Sequence, residues 1–155
     1  MTLIAFIGGG NMASAIIGGL RKSGRAADSI LVIDPGAAQR DKLQAEFGVR
    51  ALAAADATLA QAALVVWAVK PQLFNDAAAP CAPHVGGALH LSVMAGIRSD
   101  SIKRATGGAE RIVRTMPNTP ALVGQGMTGL YARAAVSAAD RAQVEAVLAP
   151  TGEPP

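Results

Sequence analysis

The chain has 155 residues, of which 51% are hydrophobic and 16% are charged. These values are typical of one globular domain and exclude an intrinsically disordered chain. The net charge is only +3, and the Lys and Arg residues are scattered without interleaved aromatic residues, so no nucleic-acid partner is expected. The apolar runs are far shorter than the ~20 residues that span a bilayer, and no signal-peptide pattern precedes the first strand, so we expect a cytoplasmic protein without a membrane partner.

Strand and helix patterns alternate along the chain. Apolar runs predict strands at residues 2–7, 30–33, 49–51, 64–69, 88–94, 111–115 and 127–132. Helical periodicity and turn signals predict helices at residues 11–23, 37–47, 57–62, 71–79, 99–105 and 137–148. This alternation predicts an α/β fold, a Rossmann-like, doubly wound and mainly parallel sheet with helices on both faces. The loops at 8–13, 34–36, 69–71 and 94–97 should line the ligand crevice, because they follow the carboxyl ends of strands.

Residues 1–150 are predicted to form one dinucleotide-binding domain. The residues from 149 onward have a loop-like composition, rich in Pro and Gly. Since this architecture ordinarily continues after such a helix, residues 151–155 are expected to be the start of a linker at which the sequence is cut.

The cysteine and histidine residues predict neither a disulfide nor a metal site. Cys81 is the one cysteine, and the isolated His84 and His90 lack metal-ligand spacing. We therefore expect no metal and an unreactive Cys81. His90 alternates with Leu89 and Leu91, which places it in or beside a strand.

The segment Gly8-Gly9-Gly10-Asn11-Met12-Ala13 lies between the first predicted strand and the first predicted helix. It matches the pattern G-x-G-x-x-A, which lets the backbone turn tightly and approach a pyrophosphate closely. A helix that begins near Asn11 directs its free N–H groups and positive dipole end toward the phosphates. We predict a dinucleotide site here; the alternative is a glycine-rich turn that binds nothing.

Asp34 ends the second predicted strand. A carboxylate there accepts hydrogen bonds from the adenosine ribose and repels a 2′-phosphate, which favours NADH over NADPH. The alternative is a turn aspartate before Pro35-Gly36, where Asp is common. Arg40 and Lys42 lie nearby, and a neighbouring Arg can accommodate the 2′-phosphate.

Two further loops carry polar groups suited to a ligand. Lys70, between Val69 and Pro71 at the end of a strong apolar strand, is placed to contact ribose or phosphate; the alternative is a solvated lysine. In the loop Met116–Pro120, two prolines hold Asn118 and Thr119 in a rigid frame. Their amide and hydroxyl groups suit a carboxamide or a small polar substrate, and the alternative is a tight structural turn.

Taken together, these segments resemble pyrroline-5-carboxylate reductase. The resembling segments are FIGGGNM at 6–12 with residues 16–20, AVKPQ at 68–72, SVMAGI at 92–97 and IVRTMPNTPA at 112–121. Their order and spacing agree across nearly the whole chain. Met-Pro-Asn-Thr-Pro combined with Val-Lys-Pro is specific, whereas other Rossmann dehydrogenases share only the first motif.

The resemblance implies reduction of 1-pyrroline-5-carboxylate, a small-molecule imine, to L-proline in proline biosynthesis. The hydride would pass from the nicotinamide of NADH or NADPH to the imine carbon, and no metal would be required. The implied cofactor-binding residues are Gly8, Gly10, Asn11, Met12 and Ala13 at the pyrophosphate, Asp34 at the ribose, Ala68, Val69, Lys70 and Pro71 on the nucleotide, and Ala95, Gly96 and Met116 near the nicotinamide. The implied catalytic residues are Asn118 and Thr119.

This sequence departs from the family in two ways. Many members carry Asn-Arg or a similar polar pair after the second strand, where this chain has Asp34-Pro35, so NADH is favoured. Members also continue into a C-terminal helical domain with a Ser/Gly-rich substrate motif and a Gly-Gly-Thr-Thr stretch. That domain builds the dimer, and neither motif occurs here. We therefore expect the chain by itself to be inactive or weakly active, and the full-length parent to be a homo-oligomer.

Two other functions are consistent with the glycine motif. One is the cofactor domain of a β-hydroxyacid dehydrogenase, but that group typically has a Gly-Gly-containing substrate loop where this chain has Met116–Pro120. The other is a stand-alone nucleotide-binding module without catalysis.

Overall fold

The computed structural model describes residues 2–115 and 131–152. Within these ranges one sheet contains β1 (Leu3–Ile7), β2 (Ile30–Ile33), β3 (Arg50–Leu52), β4 (Ala62–Trp67), β5 (Leu89–Ser92), β6 (Ile112–Arg114) and β7 (Tyr131–Ala132). The α-helices are α1 (Asn11–Lys22), α2 (Ala37–Phe47), α3 (Phe74–Ala78), α4 (Ser99–Ala105) and α5 (Ala138–Gly152). Short 3₁₀ helices span Ala27–Ser29, Ala57–Gln61, Pro71–Leu73 and Ala82–His84.

The strand order is β3-β2-β1-β4-β5-β6-β7. All neighbouring pairs from β3 to β6 are parallel, and β7 pairs antiparallel to β6. The chain therefore winds outward from β1 in one direction and from β4 in the other. The crevice between the carboxyl ends of β1 and β4 is the switch point at which such sheets bind ligands. This topology confirms the predicted doubly wound fold.

Apolar residues fill both faces of the sheet, as parallel strands require. Alternate residues of one strand point to opposite faces, so Phe6 packs in the cluster that includes α1, α2 and α5, and Ile7 in the cluster that includes α3 and α4. Helices on both faces are therefore confirmed. Within the described ranges, no helix has the length and apolar content needed to cross a membrane.

The element boundaries differ from the predicted ones where periodicity is weak. The helix predicted at 57–62 is a 3₁₀ turn, and the one predicted at 71–79 divides into a 3₁₀ turn and α3. The loop-like prediction for 149–152 is wrong, because α5 continues to Gly152. Pro150 lacks an N–H and suggested the end of the helix, but the backbone stays helical beyond the last core-facing residues. Of the strand predicted at 127–132, residues 127–130 lie outside the described ranges.

His90 lies in β5, as its alternation with leucines predicted, and it is completely buried. Its Nδ1 accepts a hydrogen bond from Trp67 Nε1 at 3.0 Å, and its Nε2 lies 3.0 Å from the Val85 carbonyl oxygen. The ring is therefore neutral, with its proton on Nε2. Desolvation lowers the pKa of His90 to about 4; the bond to Val85 opposes this shift, and the charge of Arg111 adds to it.

Candidate cofactor site

The glycine turn begins at the carboxyl end of β1, in the middle of the sheet. Gly8 has φ +98°, which side chains on L-residues rarely allow. Its N–H donates to the Ile33 carbonyl at 2.9 Å, and a Cβ on Gly8 would lie 2.7 Å from the Ala68 carbonyl oxygen. The chain itself therefore requires glycine at this position, because β1, β2 and β4 converge there.

The next two glycines differ in what they face. A Cβ on Gly9 would lie 2.8 Å from Leu43 Cδ1 and 3.2 Å from Asp34 Oδ2, so Gly9 allows α2 to pack closely. A Cβ on Gly10 would meet nothing within 4 Å in the described chain. Gly10 is exposed and has ordinary extended backbone angles. Its lack of a side chain leaves space for a ligand.

The first turn of α1 suits an anion. Gly10 is its N-cap residue, no side chain caps the helix by a hydrogen bond, and its first turn contains no acidic residue. The leading N–H groups of a helix have no intrahelical partners, and the helix dipole is positive at this end. A phosphate placed above Gly10 would meet these groups directly.

A cavity of about 530 Å³ opens beside the glycine turn. It is formed by the loops that follow β1, β2, β3 and β4, together with one side of α3. Its lining residues are Ile7, Gly8, Gly9, Gly10, Ile33, Asp34, Pro35, Ala53, Ala54, Ala55, Ala68, Val69, Lys70, Leu73, Asp76, Ala77, Pro80 and Cys81. Mostly apolar walls with a few charged groups at the rim are typical of a nucleotide pocket.

Asp34 connects two of the loops at this cavity. Its Oδ2 accepts the Gly9 N–H at 2.8 Å, and its Oδ1 accepts the Gly36 N–H at 2.8 Å. The Arg40 guanidinium donates to the Asp34 carbonyl oxygen at 2.8 Å. Asp34 thus stabilises the turn at Gly36, as one interpretation predicted, and it also lines the cavity, while its contact with a ribose stays a prediction.

The predicted cofactor residues separate into three groups. Those that line the cavity are Gly8, Gly10, Asp34, Ala68, Val69 and Lys70. Those that are exposed elsewhere along the carboxyl edge are Asn11, Met12, Pro71, Ala95 and Gly96. Ala13 is completely buried, and its side chain packs in the core. Met116, Asn118 and Thr119 lie outside the described residues.

Sequence reasoning missed a further part of the cavity lining. That part consists of Ala53–Ala55 after β3, Leu73, and the side of α3 that carries Asp76 and Ala77. The loop after β3 also follows the carboxyl end of a parallel strand, where ligands bind. Its three alanines, however, have no polar group that would suggest a ligand site. Leu73 is half exposed despite being apolar, which becomes informative only once it is seen at the mouth of a cavity.

Cys81 also borders the cavity, and its environment supports the prediction that it is unreactive. Only 1% of the residue is exposed, and its thiol donates to the Ala77 carbonyl at 3.3 Å. Burial raises the pKa of the Cys81 thiol to about 11, so the reactive thiolate is scarce at neutral pH. In the described part of the chain, no group of three or more His, Cys, Asp or Glu residues is arranged to hold a metal ion.

Comparison with known proteins gives one consistent result. Residues 3–96 match the family model described as NADP oxidoreductase, coenzyme F420-dependent. The chain is 44% identical over 150 residues to a pyrroline-5-carboxylate reductase of Pseudomonas aeruginosa, covering 96% of this chain and 55% of that protein.

Solved structures agree with the sequence matches. A pyrroline-5-carboxylate reductase of Coxiella burnetii superposes with a TM-score of 0.85 at 30% identity, covering 97% of this chain and 57% of that one. The Plasmodium falciparum enzyme with NADP bound has a TM-score of 0.76 at 21% identity over 97% of this chain and 55% of that one, a likeness of fold. The chain thus spans about half the length of these relatives. It belongs to the NADP oxidoreductase, coenzyme F420-dependent family, and within that family its resemblance to the pyrroline-5-carboxylate reductases is confirmed.

Proposed function

We propose that this chain is the cofactor-binding part of a pyrroline-5-carboxylate reductase, an oxidoreductase of proline biosynthesis. The observation that carries the proposal is the glycine turn, which lies between β1 and α1 and opens onto the cavity at the switch point of the sheet. The high identity to the Pseudomonas aeruginosa relative supports the same reaction. The proposed substrate is therefore a small cyclic imine that bears a carboxylate.

The residues present fit a nicotinamide dinucleotide. The open side of Gly10 and the uncapped first turn of α1 suit a pyrophosphate, and Asp34 at the cavity rim suits a ribose. The apolar wall that includes Leu73 and Ala54 suits an adenine ring. When bound, the cofactor supplies a hydride equivalent. The task of this chain is to hold the nucleotide at a fixed place on the carboxyl edge of the sheet.

The remaining parts of the reaction rest on the family resemblance. Asn118 and Thr119 are the proposed catalytic residues, and Ala95, Gly96 and Met116 are the proposed neighbours of the nicotinamide. The relatives are almost twice as long as this chain. We propose that this second part is a separate domain that holds the substrate carboxylate and forms the homo-oligomer, and that the protein acts in the cytoplasm.

Asp34 favours NADH over NADPH in this proposal. A 2′-phosphate placed beside its carboxylate would bring two negative charges together at a partly desolvated site. The guanidinium of Arg40 lies close by and is the group that could offset this repulsion. The choice of cofactor therefore depends on the balance between these two side chains.

Replacement of Gly10 by valine tests the cofactor site. The protein leaves space for the new side chain, so the fold should be retained while the pyrophosphate is blocked. We expect calorimetric titration with NADH to show a loss of at least about tenfold in affinity, since the phosphate contacts are charge-assisted hydrogen bonds.

Gly86→Val is a matched control. A Cβ on Gly86 also meets nothing within 4 Å in the described chain, and Gly86 does not line the cavity. This variant should bind NADH like the unmodified chain. Equal NADH affinity of the Gly10→Val variant and the unmodified chain would show that the glycine turn is not part of the cofactor site.

A further inference from the structure

We propose that Gln39 is a positioning residue that orients the pyrophosphate-binding turn. The inference rests on the proposed function, because it concerns how that same turn is held. Gln39 lies in the first turn of α2 and is half-buried. Its amide nitrogen Nε2 donates a hydrogen bond to the carbonyl oxygen of Gly9, thirty positions earlier in the chain.

Gly9 is held by side chains on both of its backbone polar groups. Its N–H donates to Asp34 Oδ2 at 2.8 Å, and its carbonyl oxygen accepts from Gln39. Asp34 and Gln39 both belong to the segment that runs from the end of β2 into α2. This segment therefore fixes the two peptide units that meet at Gly9.

The peptide geometry transmits this constraint to Gly10. A trans peptide is planar, so its C=O and N–H groups point in opposite directions. Gln39 draws the Gly9 carbonyl toward α2, and the Gly10 N–H of the same peptide is thereby directed away from α2. Among the described residues the Gly10 N–H has no hydrogen-bond partner. It is thus left available beside the free N–H groups of α1.

The close packing of α2 against Gly9 requires a glycine at this position of the turn. Gly9 has no room for a side chain, because a Cβ there would lie 2.8 Å from Leu43. Glycine is otherwise the most flexible residue, and an unheld Gly-Gly-Gly segment would lose much conformational freedom on binding a phosphate. The hydrogen bond from Gln39 already restricts the turn before a phosphate binds. Less conformational freedom is then lost on binding, which is how preorganisation increases affinity.

The test compares a ligand that has a pyrophosphate with one that lacks it. In Gln39→Met the length of the side chain is kept and the donor is lost. We expect the dissociation constant for ADP to rise roughly five- to tenfold, as for the loss of one hydrogen bond. Adenosine binding, followed by NMR titration, should be unchanged, since adenosine does not reach the turn. General damage to the fold would weaken both ligands.

Two further variants isolate the hydrogen bond. Gln44→Met is the matched control, because Gln44 also lies on α2 but its Nε2 is directed at the Ala51 carbonyl oxygen, 3.4 Å away. ADP affinity should not change in this variant. Gln39→Lys keeps a donor of similar reach and should retain ADP binding.

Three results would overturn the inference and leave the proposed function intact: unchanged ADP affinity in Gln39→Met, an equal loss of adenosine binding in that variant, or a loss of ADP binding in Gln39→Lys. If the unmodified chain did not bind ADP at all, both proposals would fail together.

Discussion

The two halves of the carboxyl edge of the sheet are built differently. On the side of β1, β2 and β4, side chains and backbone groups from separate loops hold one another. Asp34 binds Gly9 and Gly36, and Gln39 binds the Gly9 carbonyl. Together these loops enclose the cavity.

On the side of β5 and β6, the loop after β5 is more exposed among the residues that the structure describes. Ala95 and Gly96 are exposed, and a Cβ on Gly96 would meet nothing within 4 Å in the described chain. The polar contacts there lie beneath the surface, such as the bond from the Met94 N–H to Ser92 Oγ at 3.2 Å. From this difference we propose that the chain holds the nucleotide by itself, and that the reaction at the nicotinamide depends on further walls.

The rate of catalytic turnover is the measurement with the largest expected effect, and it can refute the proposed difference between the two sides. Positioning of the reacting groups is worth roughly 7–11 kcal/mol in favourable cases, so under this proposal a chain that spans about half the length of its relatives should catalyse the reaction poorly. We expect this chain to oxidise NADH with the imine substrate at least about a hundredfold more slowly than the full-length Pseudomonas aeruginosa relative. Steady-state absorbance of NADH measures the rates.

NADH binding measured on the same sample is the control for this assay. A chain that binds NADH but turns over slowly supports the comparison. Turnover within about tenfold of the full-length relative would show that the β5–β6 side is complete, and that the substrate site has been misplaced.

Acid titration tests the buried network beneath the β5 side. The pKa of His90 is about 4 in the fold, against 6.5 for an unperturbed histidine. Because the folded-state pKa is the lower one, the contribution of His90 to stability is complete above pH 6.5. As the pH falls from 6.5 toward 4 this contribution is lost, and the free energy of unfolding decreases by up to about 3 kcal/mol. Urea unfolding at several pH values should show this decline.

Replacement of His90 by leucine should flatten that part of the pH profile, although the protein is less stable throughout because Trp67 Nε1 loses its acceptor. His84→Leu is the matched control, since His84 is only half-buried, and it should keep the decline. If the slope is the same with and without His90, the neutral buried histidine is not the cause.

The relative affinity for NADH and NADPH tests the β1–β2 side of the cavity, and it is the prediction with the smallest expected effect. We expect NADH to bind more tightly than NADPH by about 1–3 kcal/mol, the cost of a like-charge contact. Asp34→Ser should narrow this gap. It should also weaken both cofactors, because the anchor of Gly9 is lost. Calorimetric titration with each cofactor gives the ratio.

Asp76→Asn is a suitable control, because Asp76 is another carboxylate at the cavity but lies on α3. It should leave the ratio of the two affinities unchanged. Tighter binding of NADPH than of NADH by the unmodified chain would contradict the role of Asp34, and would indicate that Arg40 dominates.

Several features were predictable because their signals are local. The run Leu3–Ile7 is apolar throughout, and a strand buried on both faces requires that pattern. The glycine pattern predicts a tight turn at Gly8, because glycine is the residue that adopts the positive φ found there without strain. The 3₁₀ turn at Pro71–Leu73 was harder to predict, because a few residues carry too little periodicity to distinguish it from an α-helix.

The sequence by itself thus determined the order of strands and helices, the position of the glycine turn and the acidic residue at the end of β2. Only the tertiary structure decided that Gln39 reaches Gly9, that Trp67 donates to His90, and that Leu73 and Ala54 line the same cavity as the glycine turn. The physical reason is the range of each interaction. Backbone preference and apolar periodicity act between near neighbours, whereas these contacts join segments whose approach depends on strand order and register across the whole sheet.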